Sequence, residues 1–261
     1  MSPGSTPSPK GRRSSRPPLH DEHTPAAIQA RLADGPSADH LRDFVYGAVD
    51  GTVTTFAVVS GVAGAGLGGS VIVILGLANL LADGFSMAIS NYLGTRAEAQ
   101  RSERARREER RHIEEYPEGE REEIRQIYAA KGFTGDDLEM VVGVITEDID
   151  RWVETMVREE HGFASATPAP RKAAWVTFLA FVTIGLVPLI PFLLGAVGVA
   201  IEQPYLWSAL GTGAAFFAVG VAKARFVEQP RILSGLETLL LGGGAAGLAF
   251  GVGVLLRGLV V

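Results

Sequence analysis

Three side chains at four-residue spacing place metal-binding atoms inside a strongly apolar segment. Asn79, Asp83 and Met87 lie within LGLANLLADGFSMAISNYL at Leu75–Leu93, and on a helix they share one face. Asp50 lies in the preceding apolar segment, FVYGAVDGTVTTFAVVSGV. A carboxylate among lipid-facing side chains costs about 2.5–3.5 kcal/mol, so such residues usually face a polar pathway. Oxygen ligands beside a thioether favour a transition-metal ion, whereas the alternative is polar contact between helices with Met87 as apolar filler.

A second set of potential ligands lies in the charged segment 94–172, which has 19 acidic and 14 basic residues. Pairs spaced by three or four residues share a helix face, and three such pairs occur: Glu109 with His112, Glu120 with Glu123, and Met156 with Glu160. Together they would offer carboxylates, an imidazole and a thioether to a divalent transition metal. Each pair alone is equally typical of a solvated charged face, so the prediction depends on their convergence.

Five apolar stretches, each near the roughly 20 residues that cross a bilayer, must position these side chains. They cover residues 44–65, 71–93, 173–198, 205–224 and 234–256. Glycines between the first two predict a tight hairpin, and Pro188 and Pro191 predict a break in the third. In the fifth, Gly243, Gly247 and Gly251 predict close helix packing. Asp43 and Glu237 are weaker site candidates. Asp43 lies near the inner interface, and Glu237 lies about one turn inside the fifth span, where it is expected to pair with Lys223 or Arg225.

The charged segment itself is predicted to be helical. The second apolar helix is expected to continue without a break to Glu115, and Pro117 to begin the next helix. Gly132 is typical of that helix's end, and Thr134 and Thr146 are expected to cap the two helices that follow. The predicted divisions are a disordered tail at 1–40, two membrane helices at 41–93, a helical metal-binding domain at 94–171 and three membrane helices at 172–261.

Basic residues predict the orientation. Segments 1–43, 94–172 and 223–233 hold 6, 14 and 3 of the 24 Lys and Arg residues, which favours a cytoplasmic N-terminus, an external C-terminus and a cytoplasmic charged segment. The first 40 residues lack the apolar region of a cleavable signal peptide. The absence of cysteine excludes thiolate-zinc and iron–sulfur sites. The net charge of −5 alone says little about partners, and no nucleic-acid partner is predicted.

Four segments carry a family resemblance: DFVYGAVDGTVTTFAVVSG at Asp43–Gly61, GLANLLADGFSMAISNYLGTRAEA at Gly76–Ala99, YPEGEREEIRQIYAAKG at Tyr116–Gly132 and GLVPLIPFLLG at Gly185–Gly195. They resemble the vacuolar iron transporter family in order and over nearly everything after residue 40. The resemblance implies an all-α, five-span homodimer in the lipid bilayer that exports Fe²⁺, and often Mn²⁺, from the cytosol in exchange for protons. It implies no fixed cofactor.

The resemblance also implies roles for particular residues. Asp50 matches the family's first-helix metal carboxylate and Met87 its second-helix thioether ligand. The matching positions of its cytoplasmic metal-collecting module are Glu109, His112, Glu120, Glu123, Met156 and Glu160. The sequence departs from the family at Asn79, often Glu in plant members, with Asp83 one turn later expected to take over its proton-coupled role. His112 stands where Glu is expected, and Val157 where a second Met can follow Met156, which adds Zn²⁺ to the candidate ions.

Two rival functions stay open at this point. A membrane-tethered ferroxidase is suggested by the Glu-x-x-His spacing of Glu109 and His112, which di-iron carboxylate bundles use. Such sites need a second pair, and Arg158 occupies the position three before His161. A metal sensor would bind ions without moving them. Lack of a transit peptide and a short Arg-rich tail favour a bacterial inner membrane, with the vacuolar membrane as the alternative.

Overall fold

The computed structural model describes residues 19–34, 40–163, 169–224 and 229–260, and every regular element within these ranges is a helix. The chain divides into two compact units, Met1–Ser37 and Ala38–Val261. The described part of the first unit contains α1 (Leu19–Glu22) and α2 (Pro25–Asp34). This part differs from the disordered tail that the sequence predicts, because PAAIQARLAD is rich in strong helix formers and begins with proline. The rest of that predicted tail lies outside the described residues.

The second unit consists of nine α-helices in its described ranges. They are α3 (Leu41–Gly64), α4 (Gly69–Glu115), α5 (Pro117–Ala130), α6 (Gly135–Thr146), α7 (Ile149–Glu159), α8 (Pro170–Gly185), α9 (Ile190–Ala196), α10 (Pro204–Lys223) and α11 (Arg231–Val260). Five stretches are long and apolar enough to cross a membrane: α3, α4, the run from α8 to α9, α10 and α11. The all-α fold with five candidate spans is therefore confirmed.

Helix α4 is much longer than a membrane span. Its 47 residues rise about 70 Å, whereas the hydrocarbon core of a bilayer is about 30 Å thick. The apolar first half packs in the membrane layer, and the charged second half packs with α5, α6 and α7. This second half, those three helices and the turn that follows α7, residues 102–163, are called the α4–α7 bundle below. The bundle has its own apolar core, which includes Ile124, Val142 and Trp152.

Glycines bring α3 and α8 into backbone contact. A Cβ at Gly47 would lie 2.4 Å from the Thr177 carbonyl oxygen, and one at Gly51 would lie 2.4 Å from that of Phe181. Only a residue without a side chain permits this approach. Asp50 precedes Gly51 by one residue and is exposed on the second unit. The α3–α8 contact thus fixes the direction in which Asp50 projects.

The third span is interrupted as the prolines predict. Helix α8 ends at Gly185, a 3₁₀ turn covers Val187–Leu189, and α9 begins at Ile190. Pro188 lies within the turn and Pro191 in the first turn of α9, where a missing N–H does least harm. The Pro188 carbonyl oxygen accepts a 2.7 Å hydrogen bond from Ser208 Oγ on α10, which satisfies a backbone group that the break leaves free.

The predicted packing of the glycine stripe on α11 is not seen within the described part of the single chain, and its packing on a second subunit stays a prediction. Nothing within 4 Å would meet a Cβ at Gly243, Gly247 or Gly251, and α11 instead packs on α3 through Gly253, where a Cβ would lie 2.1 Å from the Gly61 carbonyl oxygen. Glycine spacing alone did not show which face of α11 meets a neighbour.

The prediction that Thr146 caps a helix is wrong. Thr146 is the last residue of α6, and α7 is capped by Asp148, whose Oδ1 accepts a 2.7 Å bond from the Arg151 N–H. The ionised carboxylate meets the positive end of the helix dipole, an advantage that the Thr146 hydroxyl lacks. The boundaries at Pro117 and Gly132 are confirmed.

Candidate metal centres

The α4–α7 bundle buries two carboxylates side by side. The Glu109 side chain on α4 is 3% exposed and the Glu120 side chain on α5 is 8% exposed. Glu109 lies one turn from Ala105 and Ile113, and Glu120 one turn from Ile124, all of which are core residues. The helix faces that form the core therefore carry these acids inward. Glu109 Oε2 and Glu120 Oε2 have no hydrogen-bond partner among the described residues, which is costly for a buried carboxylate.

Two groups of ligand atoms surround Glu109. One consists of Glu109, His112 and Glu120, and the other of Glu109, Glu160 and His161; within each group the ligand atoms lie within 4.8 Å of one another. His112 Nδ1 is 3.5 Å from Glu120 Oε1, and His161 Nε2 is 2.8 Å from Glu109 Oε1. The spacing within each group suits a bound metal ion, since each donor would sit about 2.0–2.2 Å from it.

The electrostatics of the cluster favour a cation. Burial raises the pKa of Glu120 to about 7, and the negative charges of Glu109, Glu123 and Glu160 add to the rise. Burial and the charge of Glu109 also raise the pKa of Glu160. Hydrogen bonding to Glu109 raises the pKa of His161, with the nearby carboxylates adding to it. A divalent ion would offset the repulsion that these carboxylates exert on one another.

The structure brings most of the predicted bundle ligands together. Glu109, His112 and Glu120 form one group, and the charge of exposed Glu123 reaches both Glu120 and Glu160. Met156 is fully buried in the apolar core of the bundle. His161 was missed, because it follows the end of α7 and therefore has no helical spacing to the other ligands. Its one sequence signal is its position directly after Glu160.

The second candidate centre lies in the membrane layer. Asn79, Asp83 and Met87 are half-buried along one face of α4. Asp50 on α3 is close enough to Asp83 for the two carboxylates to repel each other. Met87 packs against the apolar cluster that contains Phe181. The predicted face on α4 therefore carries its acid near the acid of α3.

Asp43 and Glu237 have structural partners. Asp43 is buried at the start of α3, where its Oδ1 accepts a 3.0 Å hydrogen bond from Asn91 Nδ2 and its Oδ2 lies 3.1 Å from His40 Nδ1. Asn91 Nδ2 also donates to Thr177 Oγ1 at 2.7 Å, which ties α3, α4 and α8 together. Glu237 Oε2 lies 3.4 Å from Lys223 Nζ, as predicted; the alternative partner, residue 225, is outside the described residues.

Known proteins are similar in sequence to this chain over most of its length. A family model described as the VIT family matches residues 41–254. A vacuolar iron transporter of Toxoplasma gondii is 35% identical, over 85% of this chain and 76% of its own length. Vacuolar iron transporter 1 of Eucalyptus grandis is 30% identical, over 87% of this chain and 93% of its own. Vacuolar iron transporter 1 of Arabidopsis thaliana is 30% identical over 89% of both chains.

Proposed function

Because this chain belongs to the VIT family, an integral membrane family of transporters and not of enzymes, we propose that it exports Fe²⁺ from the cytosol in exchange for protons. The observation that carries the proposal is the pair of acids on adjacent candidate spans, Asp50 and Asp83, beside Met87. Carboxylates at this depth are rare outside ion and proton pathways.

The proposed path runs along the face of α4 that carries Asn79, Asp83 and Met87. Carboxylate and amide oxygens replace part of the hydration shell of the ion, and the thioether favours Fe²⁺ over harder ions such as Mg²⁺. Asp50 supplies the donor from α3. The same carboxylates take up protons when the ion leaves, because two adjacent acids in a low-dielectric layer resist carrying two charges. Asp83 is the proposed proton-coupled residue.

A homodimer is the proposed assembly. Asp50 is exposed on the single chain although it lies in a candidate span, and an exposed carboxylate in lipid is strongly disfavoured. A second copy related by a two-fold axis would cover the exposed acid and present the same donors from the opposite side. The path would then lie between the subunits.

The α4–α7 bundle is proposed to collect metal on the cytoplasmic side. Glu109, His112, Glu120, Glu123, Met156 and Glu160 are its proposed ligands. Because α4 runs without a break from the membrane layer into the bundle, ions held there are released at the mouth of the path. Its nitrogen and oxygen donors suit Fe²⁺ and extend the candidate cargo to Mn²⁺ and Zn²⁺. The proposed location is the bacterial inner membrane, with the vacuolar membrane as the alternative, and the N-terminus is cytoplasmic.

Proteoliposomes test this function. The purified chain is reconstituted with an Fe²⁺-sensitive dye inside the vesicles and an imposed proton gradient, and Fe²⁺, Mn²⁺, Zn²⁺ and Mg²⁺ are supplied in turn. Fe²⁺ entry should depend on the gradient and fall at least about tenfold in Asp50→Ala and Met87→Ala. Glu237→Gln is the matched control, since its acid lies in a candidate span but pairs with Lys223. Wild-type rates in both variants would rule out the proposed path.

The two rivals make different predictions. A ferroxidase would consume O₂ when Fe²⁺ is added, and the membership in a transporter family argues against it. A sensor would be stabilised by metal but would give no flux in the vesicles. The O₂ electrode and the flux measurement therefore separate the three functions on one preparation.

A further inference from the structure

His161 occupies a place in the bundle that the transport proposal leaves without a role. Its Nε2 lies 2.8 Å from Glu109 Oε1, and its side chain is 32% exposed, whereas Glu109 is 3% exposed. It therefore sits at the solvent edge of the buried cluster with its ring nitrogen directed inward. Glu160, its neighbour in sequence, belongs to the same group of ligand atoms.

The backbone after α7 holds the ring in this position. Gly162 has a left-handed conformation, φ +70°, which ends the helix in the manner of a C-terminal glycine. The Phe163 N–H then donates a 3.2 Å bond back to the Val157 carbonyl oxygen. The Phe163 ring packs against the apolar core and lies 6.3 Å from the His161 ring, centroid to centroid. His161 is thus placed by a defined turn and does not belong to a loose loop.

An ion pair with Glu109 does not account for the whole arrangement. Glu109 Oε2 and Glu120 Oε2 are both buried, and neither has a hydrogen-bond partner among the described residues. Glu109 belongs to both groups of ligand atoms, and each group contains one imidazole: His112 beside Glu120, and His161 beside Glu160. A carboxylate with both oxygens buried and two histidines around it is suited to bridge two cations.

We propose that His161, with Glu160 and Glu109, ligates a second transition-metal ion beside the ion held by Glu109, His112 and Glu120. The proposal rests on the metal-collecting role assigned above to the bundle. Each ion then has one nitrogen donor and carboxylate oxygens. Imidazole binds Fe²⁺, Zn²⁺ and Ni²⁺ well, whereas all-oxygen sites suit Mn²⁺ and Mg²⁺. His161 therefore acts as a specificity-determining ligand that favours Fe²⁺ and Zn²⁺ over Mn²⁺ at the second ion.

The test uses the full chain in detergent with Zn²⁺ as a redox-silent probe. Equilibrium dialysis gives the number of ions bound, and X-ray absorption at the zinc edge gives the number of imidazoles per ion. His161→Gln retains an N–H that can donate to Glu109 but lacks the imidazole ligand. His112→Gln is the equivalent change in the other group. His20→Gln is the matched control, because that ring is 93% exposed and belongs to neither group.

The wild type should bind two Zn²⁺ in the bundle with one imidazole each. His161→Gln should weaken one of the two sites about 10- to 100-fold, keep the other with its imidazole, and change Mn²⁺ affinity less than about threefold. Unaltered stoichiometry and imidazole content in His161→Gln, with loss in His112→Gln, would overturn this inference alone. No loss in either variant would instead remove the metal-collecting role of the bundle. Trp152 emission, recorded with Trp175 and Trp207 replaced by Phe, reports the bundle core and verifies that each variant is folded.

Discussion

Glu120→Gln should stabilise the metal-free bundle at neutral and alkaline pH, although it removes a proposed metal ligand. Burial and the neighbouring acids raise the pKa of Glu120 from 4.5 to about 7. Since one pKa unit corresponds to about 1.4 kcal/mol, holding this carboxylate ionised in the folded state costs at most about 3.5 kcal/mol. Glutamine has the same shape without the charge, and its amide N–H can donate to Glu109. We expect a gain of about 2–3 kcal/mol at pH 8.

The sign of the pH dependence follows from the same pKa. Between about pH 4.5 and 7 the folded wild type binds a proton at Glu120 that the unfolded chain has released, so its free energy of unfolding falls as pH rises. The raised pKa values of Glu160 and His161 act in the same direction. Exposed Glu139 acts in the opposite direction. Hydrogen bonding to Arg125 lowers its pKa, so the stability that it contributes is lost only when the pH falls below about 4.5. The metal-free wild type should therefore be more stable at pH 5 than at pH 8, and Glu120→Gln should reduce this difference.

Urea unfolding of the full chain in detergent measures the effect. Trp152 is buried in the bundle core, so replacing Trp175 and Trp207 by Phe leaves one fluorophore that reports the bundle. The two proteins are compared at pH 5 and pH 8 with chelator and then with Zn²⁺. Zn²⁺ should stabilise the wild type at pH 8 far more than Glu120→Gln, because a ligand that binds only the folded state adds stability. A less stable Glu120→Gln in chelator at pH 8, or a wild type that gains stability from pH 5 to pH 8, would refute the reasoning.

Three further changes test packing and ligation. Gly51→Val should prevent α3 from packing on α8, because its Cβ would lie 2.4 Å from the Phe181 carbonyl oxygen. Size-exclusion chromatography should show that this variant aggregates. The control Gly94→Ala should not aggregate, because no atom lies within 4 Å of the added Cβ. Asn91→Leu removes a hydrogen-bond donor from the buried carboxylate of Asp43 and should lower the free energy of unfolding by about 1–3 kcal/mol. An unaltered midpoint of thermal unfolding would contradict the hydrogen-bond network of Asp43, Asn91 and Thr177. Met156→Leu should change stability by less than about 1.5 kcal/mol yet weaken anaerobic Fe²⁺ binding, and equal Fe²⁺ affinity would remove the sulfur from the ligand set.

The membrane architecture could be predicted because apolar length and proline have strong local effects. A run of about 20 apolar residues has few alternatives to a spanning helix, and the break at Pro188 follows from a missing N–H. Helix faces were harder to assign. Gly243 and Gly247 have the spacing of a packing motif, yet Gly253 makes the contact, since the orientation of a helix about its axis depends on all its neighbours.

The bundle cluster was predictable where helical spacing applies. Glu109 and His112 lie on one face of α4, and periodicity is enough to pair them. His161 was not predictable, because it joins the cluster through the turn at Gly162 and through the tertiary packing of α7 on α4. The network of Asp43 and Asn91 was missed for the same reason, since its members are 48 residues apart in sequence. Contacts of this kind depend on tertiary structure and leave no periodic signal.

The central claim is that Asp50 carries metal and protons on one path. The most direct measurement records Fe²⁺ entry and proton exit together on the same proteoliposomes, with a metal dye inside and a pH dye on the same vesicles, for the wild type, Asp50→Asn and Glu237→Gln. Coupled fluxes in the wild type and in Glu237→Gln, with both fluxes lost in Asp50→Asn, are the predicted result. Fe²⁺ entry at the wild-type rate in Asp50→Asn, or entry without any proton movement in the wild type, would contradict the account.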